Sequence, residues 1–376
     1  MNRRTFLRGA ACAALVAGAG AGGTLAFLRQ EAFGALPEGE ALRRVVASAH
    51  YADGEFRNII PRPILSDGSS FAGALIRSVT ETRVRPEPPG PVPSCRPDFN
   101  ALDRSRDLVV WLGHSSFFLQ LGGRRLLIDP VFSDHASPFS FSVRAFAGAT
   151  PCTARDMPNI DYLLISHDHW DHLDYPTVSA LRDHTRLVIC GLGTGAHFCR
   201  WGFAARAIRE ADWGDTIAAD DALRITLVTA SHYSGRALTR NQSLWTGFRI
   251  VSPERSVFFS GDSGYGPHFA EVRKTFGDTD LALLDCGQYN DRWKYIHMTP
   301  EEAVRAAEDL GTKALLPAHI GKFALARHPW DEPFRRVSLA AQNKSFALLT
   351  PRIGDIVPLS DEVPVFPRWW EHLRQA

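Results

Sequence analysis

Residues 166–174, Ser-His-Asp-His-Trp-Asp-His-Leu-Asp, form the stretch of the chain best suited to chemistry. His167, His169, Asp171 and His172 give it the pattern H-x-H-x-D-H directly after an apolar run. Imidazole and carboxylate groups are common protein ligands of zinc and iron. His167 and His169 stand at alternate positions and can turn to one ion, while Asp171 and His172 point past it to a second. The spacing therefore predicts two neighbouring metal ions, an arrangement that activates water for hydrolysis.

Three more ligand-type side chains follow apolar runs elsewhere in the sequence. His232, Asp262 and His319 each lie just past the end of such a run, beside small residues that let the backbone approach an ion. A single histidine in this position is more often structural than a ligand. Combined with the H-x-H-x-D-H pattern, the three side chains instead predict a shared metal site.

Short strands must carry these loops. From about residue 107 the sequence alternates apolar runs with glycine or polar turns, a pattern typical of strands. The predicted strands are 107–112, 116–121, 125–129, 162–166, 187–190, 225–229, 256–260, 281–284 and 314–317. Helices are predicted over 176–184 and after Thr299, where Pro300 and Glu302 complete a helix-start signature. Strands interleaved with helices indicate layered α and β structure that delivers its loops to one end.

The composition is that of an ordinary globular protein with ample material for a core. The chain has 376 residues, of which 45% are hydrophobic and 22% charged. Its 42 basic and 41 acidic side chains leave a net charge of +1, so nucleic acid is not an expected partner. Six cysteines without a C-x-x-C pair do not predict a disulfide framework. Cys190 and Cys286 are predicted to be buried thiols, and one bridge among Cys95, Cys152 and Cys199 stays open.

The N-terminal residues have the pattern of an export signal. Arg3 and Arg4 precede Phe6 and Leu7, and an uncharged Ala- and Gly-rich stretch runs to residue 28. This pattern resembles the twin-arginine signal of bacteria and predicts a periplasmic or inner-membrane-associated protein. An uncleaved anchor is the alternative, although the many glycines make a poor spanning helix. The predicted division is a signal over 1–28, an N-terminal arm with a proline-rich strap over 29–100, and a hydrolase domain over 101–376.

The order of these ligand-type residues resembles that of the metallo-β-lactamase superfamily over roughly residues 105–335. The resemblance implies a four-layered αββα sandwich, of the α/β class, with a dinuclear site at one edge. It also implies which residues share each ion. One ion would be held by His167, His169 and His232, the other by Asp171, His172 and His319, and Asp262 would bridge the two together with a hydroxide. Lactamases commonly have cysteine at the bridging position, so Asp262 favours hydrolases with two histidine-carboxylate sites.

A closer resemblance is to the N-acyl-phosphatidylethanolamine-hydrolysing phospholipase D family and its bacterial relatives. The motifs that carry it lie mainly at 113–117, 127–133, 136–139, 259–265, 289–293, 297–303 and 318–324. This resemblance implies a phosphodiesterase that uses two Zn²⁺ ions, with iron or manganese as alternatives, and attacks an amphiphilic phospholipid with a metal-bound hydroxide. A membrane surface is a candidate partner, and the oligomeric state stays open. The residues expected to be catalytic are Asp171, Asp262 and His297, and for His297 a structural role is equally favoured.

Several residues around the ligands have open roles. Asp129 and Asp174 are candidates to accept hydrogen bonds from metal-binding imidazoles, or they are simple turn residues. His114 is expected near the same edge, with function and structure equally favoured. The segment containing Phe132, Phe139, Phe141 and Phe146 forms an acyl-chain groove, a membrane-facing patch or a core cluster. Tyr289 and Trp293 line the mouth of the site or serve packing.

Three other functions compete with the phosphodiesterase. The chain could hydrolyse another ester or amide, as a lactonase or lactamase does. A mononuclear iron member of the superfamily could be a dioxygenase. An exported metal-binding protein without catalysis is the fourth interpretation, and the complete ligand set counts against it.

Overall fold

The structure is a computed structural model that describes residues 26–70, 73, 77, 80–362 and 364–373. The predicted export signal lies outside the described residues except for its last three positions. Within the described ranges, no helix has both the length and the apolar character needed to cross a bilayer.

Sixteen strands are present in the described part of the chain. Their bounds are β1 Tyr51–Ala52, β2 Glu55–Phe56, β3 Leu108–Trp111, β4 Phe117–Leu121, β5 Arg124–Ile128, β6 Ile160–Ile165, β7 Thr185–Gly191, β8 Ile208–Ala211, β9 Thr216–Ala218, β10 Arg224–Val228, β11 Gly247–Val251, β12 Ser256–Phe259, β13 Thr279–Asp285, β14 Thr312–Ala318, β15 Ala347–Leu348 and β16 Ile356–Pro358. Each of the nine predicted strands is present with its ends shifted by at most two residues.

Seven α-helices whose two ends both lie in the described ranges accompany the strands. They are α1 Gly39–Val46, α2 Tyr175–Leu181, α3 Gly195–Arg200, α4 His268–Phe276, α5 Pro300–Asp309, α6 Glu332–Ala340 and α7 Trp369–His372. The predicted start of α5 is confirmed, because Thr299 and Glu302 exchange hydrogen bonds between side chain and backbone in both directions. The predicted helix over 176–184 is α2, and its last three residues tighten into a 3₁₀ turn.

Two seven-stranded sheets form the centre of the molecule. The first has the order β16-β3-β4-β5-β6-β7-β8 and the second β15-β14-β13-β12-β11-β10-β9. In the first, β5 through β8 run parallel, and in the second, β12 through β15 run parallel. β3 and β10 are each separated by one antiparallel strand from the parallel set, so they point the same way as it does.

Three apolar clusters lie between the four layers of the fold, one between the two sheets and one between each sheet and its helices. Alternate residues of the first sheet, such as Phe117, pack against the second sheet, for example against Phe259 at 6.0 Å between ring centroids. The opposite face of the first sheet packs under α2 and α3, and that of the second under α4, α5 and α6. Because side chains alternate along a strand, each strand serves both an inner and an outer layer. The αββα sandwich predicted from the sequence is confirmed.

The N-terminal arm carries more structure than its irregular pattern predicts. It includes α1 and a hairpin of β1 and β2, whose strands are only two residues long. Strands this short cannot produce a recognisable alternation of apolar and polar residues. Beyond the hairpin, Asn58 reaches the main chain of His232, with its amide donating to the carbonyl at 2.8 Å and its oxygen accepting from the backbone N–H at 3.1 Å.

Candidate metal centre

Each sheet contributes half of the site from loops at one common edge. The first sheet supplies His114 after β3 and the H-x-H-x-D-H loop after β6, and the second supplies His232, Asp262 and His319 after β10, β12 and β14. The loops of His114 and His319 are bonded to each other, because the His319 N–H donates to the His114 carbonyl at 3.1 Å. Both residues adopt positive φ, 54° and 63°. For residues with a Cβ this backbone is costly, and it is common at functional sites.

The first ligand cluster consists of His167, His169, His232 and Asp262. Nδ1 of His169 lies 2.9 Å from Nε2 of His167 and 3.2 Å from Nε2 of His232. Oδ2 of Asp262 lies 3.8 Å and 3.7 Å from the same two Nε2 atoms. Three ring nitrogens and a carboxylate oxygen therefore surround one small volume, and they are the residues that the sequence resemblance groups together.

The second cluster consists of His114, Asp171, His172 and His319. Oδ2 of Asp171 lies 2.8 Å from Nε2 of His114, 3.5 Å from Nε2 of His172 and 3.8 Å from Nε2 of His319. Asp262 links the two clusters, because its Oδ2 lies 3.1 Å from His172 Nε2 and its Oδ1 2.7 Å from His319 Nδ1. The structure thus brings together all seven ligand-type residues identified in the sequence.

Two buried ring nitrogens test whether the site suits metal ions. Nε2 of His172 and Nε2 of His319 make no aligned hydrogen bond within the described part of the chain, although carboxylate oxygens lie nearby. Leaving a buried polar atom without a partner is costly. An ion that accepts the nitrogen lone pairs would remove this cost. The two His/Asp clusters joined by Asp262 fit two metal ions.

The protonation of the first cluster suits metal binding. Burial, reinforced by the neighbouring imidazoles, holds the pKa of His167 and of His232 well below the ordinary value. Burial also lowers the pKa of His169. These rings are therefore neutral, which is the state in which imidazole binds a metal.

His172 behaves differently from the other ligand-type histidines. Burial opposes its charge, but Asp262 and Asp171, together with the hydrogen bond to Asp129, raise its pKa well above the ordinary value. A proton on this ring must leave before Nε2 can bind a metal. Uptake of an ion in the second cluster should therefore release a proton and weaken in acid.

Supporting hydrogen bonds fix the imidazole orientations. Asp129 lies 2.8 Å from His172 Nδ1 and accepts from the N–H and hydroxyl of Ser166, whose Oγ lies 2.9 Å from His167 Nδ1. His232 Nδ1 lies 3.0 Å from the Ile296 carbonyl. Such partners set the ring tautomer of metal ligands. The supporting role predicted for Asp129 therefore agrees with its contacts.

Asp174, the other candidate for this role, contacts none of the ligand-type histidines. Its carboxylate accepts from the Ser133 N–H and hydroxyl and from the Thr177 hydroxyl, at the start of α2. Asp174 is thus a turn and helix-start residue, which was the alternative interpretation.

His297 lies beside the clusters and pairs with Asp285. Its Nδ1 is 2.9 Å from Asp285 Oδ2, and its ring stacks on His319 at 4.9 Å between centroids. Burial disfavours the charged ring, but the Asp285 carboxylate outweighs this and raises the pKa of His297. With Nδ1 held by Asp285, Nε2 is the ring nitrogen left to act on a substrate.

A pocket of about 460 Å³ opens over both clusters. Its walls include Ile64 and Leu65 of the N-terminal arm, Trp293, and Arg240, which lies over the Tyr233 ring at 5.7 Å. The pocket therefore combines apolar walls with a positive charge above the candidate metal site.

The aromatic residues with open roles divide between the mouth and the interior. Trp293 lines the pocket, whereas Tyr289 packs away from it against His328 and donates to Glu332. Phe132 and Phe146 belong to the interior, while Phe139 and Phe141 stack on each other at the surface and are 45% and 80% exposed.

Comparisons with known proteins agree with this fold. The family described as a beta-lactamase superfamily domain matches residues 124–320, just over half of the chain. The chain belongs to the beta-lactamase superfamily. It is a metal-dependent hydrolase of this superfamily, in which a relative from Pyrobaculum aerophilum is also named a metal-dependent hydrolase.

Three similar proteins illustrate its place in the superfamily. An uncharacterized protein of Mycobacterium tuberculosis is 37% identical over 327 residues, which cover 86% of this chain and 87% of that protein. N-acyl-phosphatidylethanolamine-hydrolyzing phospholipase D 1 of Caenorhabditis elegans is 27% identical over 270 residues, 67% of this chain and 76% of the relative. A metallo hydrolase of the archaeon Ignicoccus hospitalis superposes with a TM-score of 0.54 at 20% identity, covering 68% of this chain and 99% of that one.

Two residues at the site have roles that sequence reasoning did not assign. Asp285 is unusual in the sequence as a carboxylate directly after the apolar run 281–284, and this was the available signal for its pairing with His297. His114 was expected near the edge, but its approach to Asp171 across 57 residues of sequence left no local signal.

Proposed function

We propose that this hydrolase is a zinc-dependent phosphodiesterase of the phospholipase D type, acting on N-acyl-phosphatidylethanolamine-like lipids. The observation that carries the proposal is the carboxylate of Asp262, which approaches histidines of both clusters below an apolar-walled pocket. With Asp262 shared between two histidine-rich clusters, each cluster could hold one ion, and the two ions together would suit the oxygens of a phosphodiester. The similarity to a phospholipase D over two thirds of the chain supports the same substrate class.

The donor set of nitrogen and oxygen atoms suits zinc. When bound, two such ions would lower the pKa of a shared water and neutralise the non-bridging phosphoryl oxygens. Asp171 and Asp262 contribute the negative charge that holds this centre. His297 donates a hydrogen bond from Nε2 to a phosphoryl oxygen, and Asp285 keeps that ring oriented. Arg240 draws the anionic diester into the pocket, while Ile64, Leu65 and Trp293 contact its apolar part.

We further propose that the substrate reaches the pocket from a membrane surface. Exposed Phe139 and Phe141 lie in the same segment as Ala136, which lines the pocket together with Trp170. Exposed aromatic residues beside a lipid pocket suit contact with a bilayer. Export by the twin-arginine signal would place this surface next to periplasmic membrane lipids.

Hydrolysis in oxygen-18 water tests the reaction. Purified protein loaded with zinc should cleave N-acyl-phosphatidylethanolamine, and the label should appear in the phosphate-bearing product because water attacks phosphorus. Removal of the metal with a chelator should abolish turnover, and added zinc should restore it. If no phosphodiester is cleaved while a lactone or a β-lactam is, the proposed substrate class is wrong.

A further inference from the structure

A second cavity lies on the outer side of the second sheet. A cleft of about 430 Å³ is enclosed by β10, α4 and residues 58–62 of the N-terminal arm. Ile59, Ile60 and Phe276 line it although they are 59%, 42% and 38% exposed. Large apolar side chains left exposed around one concave surface indicate a binding site.

A basic opening adjoins this cleft. A basin of about 510 Å³ shares Arg62 and residues 265–267 with the cleft and adds Lys294 and Arg305. The Arg62 and Arg305 guanidiniums lie over the rings of Tyr295 and Tyr265, at 4.9 and 4.6 Å, and Lys294 Nζ lies 5.0 Å from the Tyr295 centroid. Stacking on aromatic faces leaves the hydrogen-bonding edges of a guanidinium available to an anion, and Arg62 uses one of its N–H groups, on Nη1, to donate to the Tyr265 carbonyl at 3.2 Å.

Among the charged residues that line the basin, one carboxylate faces three cations. Glu302, which also lines the basin, uses its carboxylate to accept from the Thr299 N–H and hydroxyl at the start of α5. Glu271 lines the cleft but not the basin. None of the salt bridges among the described residues involves Arg62, Lys294 or Arg305, whereas 20 other arginines of this part of the chain form at least one. The lining of the basin therefore carries a net positive charge.

We propose that the cleft and its basic opening form a second binding site, for a single-chain amphiphile with an anionic head group. The alkyl chain lies along Ile59, Ile60 and Phe276, and the head group receives hydrogen bonds from Arg62, Lys294 and Arg305. A cationic amphiphile is repelled at the opening, and a small anion lacks the apolar contacts. The expected ligand is therefore recognised by its alkyl chain and its negative charge together.

This site is separate from the metal pocket, because the two share no lining residue. The wall between them is thin. Ser231 and Tyr295 face the cleft or its opening, while their neighbours His232 and Ile296 face the metal pocket. Asn58 lines the cleft and also holds the main chain of His232 with two hydrogen bonds. A bound amphiphile therefore contacts a residue that positions a candidate metal ligand.

Calorimetric titration of the purified, metal-loaded protein with dodecanoate, kept below its micelle concentration, tests the site. Wild-type protein should bind dodecanoate, but neither acetate nor dodecyltrimethylammonium at the same concentrations. Thr275→Trp, at an exposed position of α4 that lines the cleft, should abolish binding by filling it. The double variant Lys294→Ala, Arg305→Ala should weaken binding about tenfold or more, as expected for lost charge-assisted hydrogen bonds.

Lys274→Ala is the matched control, because it removes an exposed positive charge of α4 that lines neither the cleft nor the basin. It should bind dodecanoate as the wild type does. Circular dichroism checks that each variant is folded. The inference is overturned if wild-type protein does not bind dodecanoate, if dodecyltrimethylammonium binds as tightly, or if folded Thr275→Trp and the double variant both retain wild-type affinity. Because the readout is binding, it is independent of whether the metal centre cleaves a phosphodiester.

Discussion

Replacement of Asp129 by asparagine should selectively weaken one of the two metal sites. Oδ1 of Asp129 accepts from the Ser166 N–H, while Oδ2 faces both His172 Nδ1 and the Ser166 hydroxyl. In Asp129→Asn an NH₂ group replaces one of these oxygens, so a donor faces a donor in a site with no exposure to water. In either orientation His172 Nδ1 loses its carboxylate partner and faces a neutral amide oxygen or a donor, so its tautomer and the direction of Nε2 are held less firmly.

The size of the effect follows from the supporting role of this carboxylate. Loss of a hydrogen-bonded partner of a metal-binding histidine typically costs about 10- to 100-fold in metal affinity. This corresponds to about 1.4–2.8 kcal/mol of binding free energy. The loss should fall mainly on the ion of the second cluster, because His172 belongs to it, whereas His167 keeps a hydroxyl neighbour in Ser166.

The assay is zinc content at equilibrium with a chelator buffer at which wild-type protein just retains two ions. Asp129→Asn should retain one. Asp174→Asn is the matched control: it also alters a buried carboxylate near α2, but one that contacts Ser133 and Thr177 instead of a ligand. That control should retain both ions. If folded Asp129→Asn holds two ions as tightly as the wild type, Asp129 does not support the metal centre.

Three further predictions concern catalysis, stability and location. Asp262→Asn should keep the fold but lose turnover by about a hundredfold or more, since an amide supplies no negative bridging oxygen; a near-normal kcat would exclude the bridge. Burial lowers the pKa of Lys322 from 10.5 to about 8, so between these pH values the unfolded chain binds more protons and wild-type stability should rise with pH. The free energy of unfolding of the wild type relative to that of Lys322→Met, which has no charge at this position, should therefore rise between about pH 8 and pH 10.5 in urea titrations; an unchanged difference would contradict the lowered pKa. Arg3→Lys combined with Arg4→Lys should leave the protein in the cytoplasm on fractionation; export of the double variant would indicate another type of signal.

The sequence was sufficient for the parts of the site that depend on local pattern. A ligand at the end of an apolar strand, such as His232 or His319, can be recognised because strand and turn signals are short-range. β11 was not predicted, because Gly247 and Arg249 interrupt its apolar run; the structure shows that Arg249 is buried and donates to the Phe276 carbonyl. Such an arginine looks solvent-exposed until its long-range partner is known.

Contacts between distant residues explain the remaining gaps. The pair of His114 with Asp171 depends on β3 and β6 ending at the same edge, which only the sheet order fixes. The division of the phenylalanine-rich segment into interior and surface residues likewise depends on what packs above it. Phe146 is buried in the cluster between the sheets, where its backbone N–H is bonded to the Lys322 carbonyl, far along the chain. Sequence patterns indicate which residues are suited to burial, whereas tertiary contacts determine which of them are buried.

The two sheets are joined at the His114 and His319 loops, so the metal affinity of the site depends on how the two halves of the sandwich are aligned. Neither sheet alone carries a complete ligand cluster, because each cluster combines side chains from both. A slide of one sheet against the other by about an ångström would exceed the tolerance of metal–ligand bonds. Core substitutions far from the site, at Phe117 or Phe259 for example, should therefore appear as weakened metal affinity. Conversely, ions bound by ligands of both sheets would hold the two sheets together. Chelation should therefore destabilise the whole domain and not only the edge that carries the metal site.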